Sequence, residues 1–330
     1  MKEPTNIDAE ILRALRQAPE GTVSGADLAQ RLAMTRAAVW ARIEALRRLG
    51  FDIEASPHKG YRLLGAPNRL FADDLLARLP KTRVVGRAIQ VFEETNSTND
   101  LVDRLARDGV AEGMVIFAEA QTRGRGRLGR AWVSPKGQGL WMSALLRPAL
   151  PPQSATRLTI AAATALARAI RQQTGLAPEI KWPNDILLKG RKVAGILTEL
   201  GAELEKIKYA VIGIGLNVNQ AANDFPPELR RLATSLRLEK GRVIQRPALA
   251  AAILEELDKD YHRVLHGDFE ALADEWERQC ATLGQRISIH VGDRVISGRA
   301  ESLDADGALL LRAHHGHLER IIGGDITVDK

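Results

Sequence analysis

At 330 residues the chain is longer than a typical single domain, and two or three domains are expected. Its 45% apolar content can fill a sizeable core, no apolar run approaches the roughly 18 residues of a membrane span, and a single cysteine, Cys280, excludes an internal disulfide. The net charge of +6 allows a polyanionic partner without naming one.

The N-terminal segment reaches acidic Asp8 and Glu10 with no apolar core of a signal peptide, so the expected location is the cytoplasm. Ile7, Ile11, Leu12 and Leu15 then fall at helical spacing. Ser24 precedes a second helical run that turns Leu28 and Leu32 inward. Thr35 is the predicted N-cap of a third helix, Arg36 to Leu49, which buries Val39, Ile43, Leu46 and Leu49 and stops at Gly50. Two alternating runs, 51–54 and 60–64, flank Ser56-Pro-His-Lys-Gly60 like the strands of a hairpin. Three helices and a hairpin predict a winged helix-turn-helix over residues 1–66. Its third helix would offer Thr35, Arg36, Ala38, Trp40 and Arg42 to the major groove, and the wing would offer His58 and Lys59 to phosphates. A helical docking module with a solvated basic face is the alternative, in which Trp40 serves a core or an interface.

Residues 67–281 alternate strand-like runs (88–92, 114–118, 140–146, 180–182, 186–188, 193–199, 209–215) with helical runs (99–107, 154–173, 247–266). Short turns such as Lys189-Gly-Arg-Lys192 favour a mixed, largely antiparallel sheet with packed helices over a doubly wound parallel one. Residues 282–330 read as four or five short strands split by turns such as Asp304-Ala-Asp-Gly307, predicting a small β-barrel. The fold class is therefore α+β, multidomain.

The chemistry concentrates in the middle region. Gln121 to Lys136 contains five basic residues (Arg123, Arg125, Arg127, Arg130, Lys136) and no acidic one. Within it Gly124-Arg-Gly-Arg-Leu-Gly129 spells a dinucleotide fingerprint, but Ala131-Trp-Val-Ser-Pro135 reads as extended chain where a helix should open. No acidic residue lies about 20 positions on to hold a ribose. Glycines that admit phosphate oxygens to backbone amides, interleaved with arginines, instead suit an anion-binding loop of another kind. A flexible basic surface loop is the alternative, against which stand the regular interleaving and the flanking Gln121 and Trp132. Lys181-Trp-Pro-Asn-Asp185 forces a turn and gathers a cation, an amide and a carboxylate, a set able to hold a nucleotide and its magnesium ion. An ordinary turn with Trp182 in the core would leave the same pattern. Lys192 opens a buried strand, as an edge charge or as a residue aimed into a site. The polar run Glu94–Asp100 precedes a helix; one member is expected to cap it, leaving others for a neutral polar ligand.

Ser97-Thr-Asn99, Gln121 with Gly124-Arg-Gly-Arg127 and Gly129-Arg130, Lys181–Asp185, Arg191–Leu197 and Gly213–Asn217 occur in the order and at about the spacing of biotin protein ligases. The whole chain resembles their bifunctional class, ligase plus biotin-operon repressor. The resemblance implies a catalytic domain similar to class II tRNA synthetases and an SH3-like C-terminal barrel. It implies that biotin and ATP, with Mg2+, give biotinyl-5′-AMP, and that biotin passes to a lysine of a biotin carboxyl carrier protein. By the same resemblance Ser97, Thr98, Asn99, Gln121 and the backbone around Arg125, Gly126 and Arg127 hold the ureido end of biotin, and Lys192 reaches its carboxylate. Gly124, Arg130, Trp132, Lys181, Asn184, Asp185 and Asn217 hold ATP, with Asp185 as the metal contact and Trp132 either stacked on adenine or in the core. Lys192, Arg127 and Lys181 then stabilise charge building on phosphoryl oxygens. Cys280, in a helical stretch 275–281, is expected to be a buried bystander, because the carboxylate and the acceptor amine are themselves the nucleophiles. The expected regulation is that biotinyl-AMP orders the Gly-Arg loop, pairs two chains as a homodimer and brings two winged helices to operator DNA. A lipoate ligase and a regulator that senses biotinyl-AMP without ligating are the competing readings.

Overall fold

The computed structural model describes residues 6–18, 21–57, 59–291, 294–313 and 316–328, so His58 of the expected wing lies outside the described residues. The chain divides into two compact units: Met1–Pro80 with Gln245–Ala251, and Lys81–Ile244 with Ala252–Lys330.

The first unit opens with α1 (Ile7–Gln17), α2 (Gly25–Arg31) and α3 (Arg36–Arg48), followed by the antiparallel pair β1 (Asp52–Ser56) and β2 (Gly60–Gly65). Asn6, Ser24 and Thr35 cap the three helices, each side-chain oxygen accepting from a first-turn N–H. Ile11, Leu12, Leu28, Val39, Ile43, Leu46, Phe51 and Ile53 form one buried core. Leu49, expected inward, is 47% exposed. The helix ends one residue early, so Leu49 leaves the buried stripe and Phe51 enters the core instead. A further helix, α4 (Ala72–Arg78), packs on α1 around Asp74, a buried carboxylate paired with Arg16 and Arg78.

The second unit is built on seven strands in the order β3-β4-β5-β9-β8-β7-β6. They are β3 (Ala88–Thr95), β4 (Met114–Gln121), β5 (Gly139–Leu146), β6 (Glu179–Lys181), β7 (Asp185–Leu188), β8 (Arg191–Ala202) and β9 (Ile207–Asn217). Only β3 and β4 pair in parallel, so the sheet is mixed and largely antiparallel, as the short turns predict. Helix α5 (Thr98–Arg107) lies on β4, β5 and β9, and α6 (Thr156–Thr174) on β6 to β9. Helices α7 (Leu236–Lys240), α8 (Arg246–Leu265) and α9 (Phe269–Glu277) follow. Arg168 of α6 ties α8 and α9 to the sheet layer, meeting Glu256 at 2.6 Å, Asp260 at 3.2 Å and Glu275 at 2.7 Å. Cys280 lies beyond the end of α9, correcting the helical placement; it bridges to Ile180, and burial pushes its thiol pKa up.

The C-terminal strands β10 (Arg286–Val291), β11 (Arg294–Leu303), β12 (Leu309–Ala313), β13 (Leu318–Ile321) and β14 (Asp325–Val328) form an antiparallel sheet in the order β13-β12-β11-β10-β14. Among the described residues β13 and β14 are its two edges, so the strands are those expected but the ladder that would close a barrel is not formed. The β11–β12 turn docks on the start of α6, where the Ser154 hydroxyl donates to Asp306 at 2.6 Å. No helix among the described residues is long and apolar enough to cross a membrane.

Candidate active site

A cleft of about 870 Å³ collects the ends of β4, β6, β8 and β9, the start of α5 and the loop after β4. Its two ends differ in chemistry.

One end is polar and uncharged. Ser97 holds the N-cap position of α5, yet its side chain makes no capping bond. The first-turn N–H of Thr98 donates instead to Gln121 Oε1 at 2.9 Å, and the Thr98 hydroxyl reaches the same oxygen at 3.2 Å. The expected cap is thus replaced by a neighbouring strand's amide, which leaves the Ser97 hydroxyl without a partner among the described residues. Gln121 Nε2 gives one hydrogen to Ser134 Oγ at 2.9 Å and keeps the other. Asn99 is more fully committed: Oδ1 lies 2.6 Å from the Ser143 hydroxyl, and Nδ2 donates to Glu199 Oε2 at 2.7 Å. Its amide lies flat on β9, where a Cβ at Gly213 would stand 2.2 Å from Asn99 Oδ1. Only glycine admits this contact.

The loop after β4 has no α-helix after Gly129. A single 3-10 turn, Arg127–Gly129, is followed by extended chain, which agrees with rejecting the dinucleotide fingerprint. The loop doubles back on itself through Trp132 N to Gly124 O at 2.8 Å and Gly126 N to Arg130 O at 2.7 Å. Gly124 serves this fold: its missing Cβ would stand 2.4 Å from Trp132 O, and it does not line the cleft, whereas Gly126 does. Arg125 pairs with Asp100 at 2.5 Å and with Glu199 at 3.2 Å. Arg127 Nη1 donates to Asn184 Oδ1 at 3.1 Å, and Nη2 approaches the Gly324 carbonyl of the C-terminal sheet at 3.5 Å. Arg130 is exposed at the rim.

The β6–β7 corner carries a cis peptide between Trp182 and Pro183. Trp182 is buried, and with Lys181, Pro183, Asn184 and Asp185 it lines the cleft. Asn184 Nδ2 donates to Ile196 O at 2.6 Å, locking the corner against β8. Lys181 is half-buried with no ion pair among the described residues. Lys192 Nζ stands 2.6 Å from Asp185 Oδ1 and 5.4 Å from the Trp132 ring centroid. The Trp132 indole rests on a glycine floor: Cβ atoms at Gly215 and Gly195 would come within 2.5 Å and 3.2 Å of it. It meets Trp141 edge-on at 6.5 Å and lines the cleft half-buried, neither core nor surface. Asn217 is 5% exposed, with Nδ2 donating to Thr234 O at 3.1 Å and Oδ1 accepting from Gln220 at 3.0 Å. Five cations (Arg125, Arg127, Arg130, Lys181, Lys192) thus line the cleft against two carboxylates, Asp185 and Asp224, so it favours an anion. Among the described residues no group of three or more His, Cys, Asp or Glu could hold a metal ion.

Glu199, Ser143, Gln220, Asp224 and the Gly324 carbonyl escaped the sequence reading. None sits in a motif: Glu199 and Ser143 arrive through strand register, Gln220 and Asp224 through the loop after β9, and Gly324 through the C-terminal segment.

In the first unit α3 presents Arg36 and Trp40 outward, Trp40 at 57% exposure, and Lys59 is exposed after β1. Thr35 Oγ1 is engaged as the cap, and Ala38 is half-buried. Arg42 faces Asp8 of α1 at 3.6 Å, which draws part of its charge inward.

Family models match three parts of the chain: the HTH domain at residues 9–62, the biotin/lipoate A/B protein ligase family at 91–217 and the biotin protein ligase C-terminal domain at 282–328. Fold, cleft and matches together define a ligase catalytic domain of the biotin/lipoate class that carries an HTH domain before it. Bifunctional ligase/repressor BirA of Bacillus subtilis is 37% identical over 98% of this chain and 99% of its own length. Bifunctional ligase/repressor BirA of Escherichia coli is 31% identical over 92% of each. Among solved structures, a biotin protein ligase from Aquifex aeolicus in complex with biotin and ATP superposes with a TM-score of 0.63 at 27% identity, covering 74% of this chain and 99% of that one. The chain belongs to the bifunctional ligase/repressor family of biotin protein ligases.

Proposed function

We propose that this protein uses ATP to convert biotin to biotinyl-5′-AMP and then transfers biotin to a lysine of a biotin carboxyl carrier protein. The observation that carries the reading is the two-ended cleft. A neutral ureido ring needs donors and acceptors but no counter-charge, and the Ser97 hydroxyl and the free Gln121 hydrogen supply them. Thr98 and Asn99 hold these groups in place, and the backbone around Arg125 to Arg127 covers that end. Met142, Ile196 and Leu197 give apolar walls for the rest of biotin. ATP takes the cationic end, with Trp132 as the surface for adenine and with Asn184 and Asn217 bracing its walls. Gly124 acts through the fold of the loop.

In the first step a biotin carboxylate oxygen bonds to the α-phosphorus, and the bond to pyrophosphate breaks. Lys192 meets the carboxylate, while Arg127, Arg130 and Lys181 meet charge on the phosphoryl oxygens and the leaving pyrophosphate. In the second step the acceptor lysine, neutral after its ammonium gives one proton to the medium, bonds to the acyl carbon, the bond to AMP breaks, and a second proton leaves the nitrogen for the medium. No side chain forms a covalent intermediate. Asp185, a carboxylate lining the cationic end, would be the protein contact for a magnesium ion carried in with ATP. When bound, that ion would offset charge on the leaving group.

The reading assigns operator binding to residues 1–66, ligation to 67–281 and a C-terminal module to 282–330, all working in the cytoplasm. Arg36, Trp40 and Lys59 would contact DNA, supported by their exposure, with Thr35 and Ala38 shaping the helix start and Arg42 adding residual charge. Bound biotinyl-AMP would order the Gly-Arg loop and favour a homodimer; an unchanged sedimentation coefficient with and without biotinyl-AMP would remove that step. The ligation reading is tested with ATP, magnesium, either biotin or lipoate, and a carrier domain, by mass spectrometry of the acceptor lysine. Modification with biotin is expected. Modification with lipoate alone would replace the reading by a lipoate ligase.

A further inference from the structure

Glu199 belongs to none of the motifs, yet its side chain touches both the polar end of the cleft, at Asn99, and the Gly-Arg loop, at Arg125. On β8 its Oε2 accepts from Asn99 Nδ2 at 2.7 Å. The same carboxylate faces the Arg125 guanidinium end-on, Nη1 to Oε1 at 3.2 Å and Nη2 to Oε2 at 3.2 Å, in the two-point geometry that suits arginine and carboxylate. Asn99 is 4% exposed and has no freedom to turn, since Gly213 lies beneath it and Ser143 holds its Oδ1. One end of the link is therefore rigid. The other end is the root of a loop whose tip bears Arg127 and Arg130.

Asp100 also meets Arg125, at 2.5 Å, but with 48% side-chain exposure and no tie to Asn99. It neutralises the guanidinium without connecting it to the pocket. Glu199, at 34%, does both.

We infer that Glu199 is a positioning residue that latches the Gly-Arg loop to the biotin pocket through Arg125 and Asn99, and so sets the affinity for biotin. The inference rests on the biotin-ligase reading. Glu199 touches neither of the reacting atoms, and its bonds exist before any substrate binds. Its loss therefore weakens ground and transition states alike, raising KM with kcat unchanged.

The test uses the full-length protein in steady-state ligation with biotin as the varied substrate. Glu199→Gln keeps an acceptor for Asn99 but removes the charge that holds Arg125. KM for biotin should rise about fivefold, the upper range for a half-exposed ion pair. Glu199→Ala also takes the nearer acceptor from the buried Asn99 amide, leaving it only the Leu197 carbonyl at 3.4 Å, and KM should rise about 20-fold. In both, kcat should stay within about twofold of wild type. In an Arg125→Met background the Gln substitution should change KM no further, because its target is gone. Unchanged KM in Glu199→Gln, a fall in kcat without a change in KM, or full additivity with Arg125→Met would overturn the latch. If Glu199→Ala does not fold, the Gln variant and its cycle still decide. A wild-type protein that fails to ligate biotin would instead sink the underlying reading.

Discussion

The winged-helix unit and the cleft arrange their functional side chains in opposite ways. On α3, Arg36 and Trp40 stand in solvent, and of the residues expected to read bases only Thr35 and Arg42 are engaged by another side chain or a cap. In the cleft the reverse holds. Gln121, Thr98, Asn99, Arg125, Asn184, Lys192 and Asn217 are each held by a hydrogen bond or ion pair before any ligand arrives. A surface that must follow a long, deformable polymer can leave its side chains loose and gain order on contact. A site that must place charge on a developing pyrophosphate cannot, because preorganised groups stabilise the transition state without reorganising. Among the described residues the Ser97 hydroxyl and the Lys181 ammonium have no partner, which leaves both open for substrate.

This contrast can be broken first at Lys192. Lys192→Ala should lower ligation by about 100- to 1000-fold, the range for removing one preorganised donor at developing charge, with the thermal midpoint little changed. Arg127→Ala should cost about tenfold less than that, since its charge is shared with Arg130 and Lys181. Arg168→Ala acts elsewhere: it leaves Glu256, Asp260 and Glu275 without their cation and should cost about 3 kcal/mol of stability, read as a lower urea midpoint. Ligation per folded molecule should survive. Gly215→Ala drives a methyl into the Trp132 indole and should weaken ATP about tenfold while altering near-UV circular dichroism. Trp40→Ala should cut operator retention by about tenfold and leave ligation within twofold, the cleanest separation of the two regions.

The smallest effect is on pH dependence. Burial alone would raise the Glu239 carboxyl, but hydrogen bonds from Thr234 and Lys189 and the charge of Arg191 hold it below its ordinary value of 4.5. A lowered carboxyl pKa contributes stability above the unfolded value and loses it as pH falls through the folded one. Glu239→Gln should therefore reduce stability at pH 7 and flatten the loss of stability below about pH 4.5. An unchanged acid limb in chemical denaturation would contradict this.

The same contrast explains what the sequence made legible. Apolar spacing and caps marked α1 to α3, because amphipathic helices announce themselves by period and by Ser24 and Thr35. Helices α4 and α7 escaped, and α9 was legible only from residue 275, because they are short and rest on tertiary contacts, as in the Asp74 and Arg168 ion pairs. Expecting a polar residue of 94–100 to cap α5 failed because Gln121, some twenty residues on, took the first-turn N–H. Motifs revealed Lys181 to Asp185 and the Gly-Arg run, since turns and glycines carry local signals. Glu199 carries none: its partners lie in α5 and in the loop, and only strand register brings them together.

Making the acyl-adenylate, as opposed to merely binding it, is what separates a ligase cleft from a sensor. Mixing wild-type protein with biotin, ATP and magnesium in the absence of any carrier domain isolates that step. Pyrophosphate release and about one biotinyl-5′-AMP retained per chain are expected, with release slowed about 100- to 1000-fold in Lys192→Ala. Tight binding of added biotinyl-5′-AMP without any formation of it from biotin and ATP would contradict the account and leave a sensor in its place.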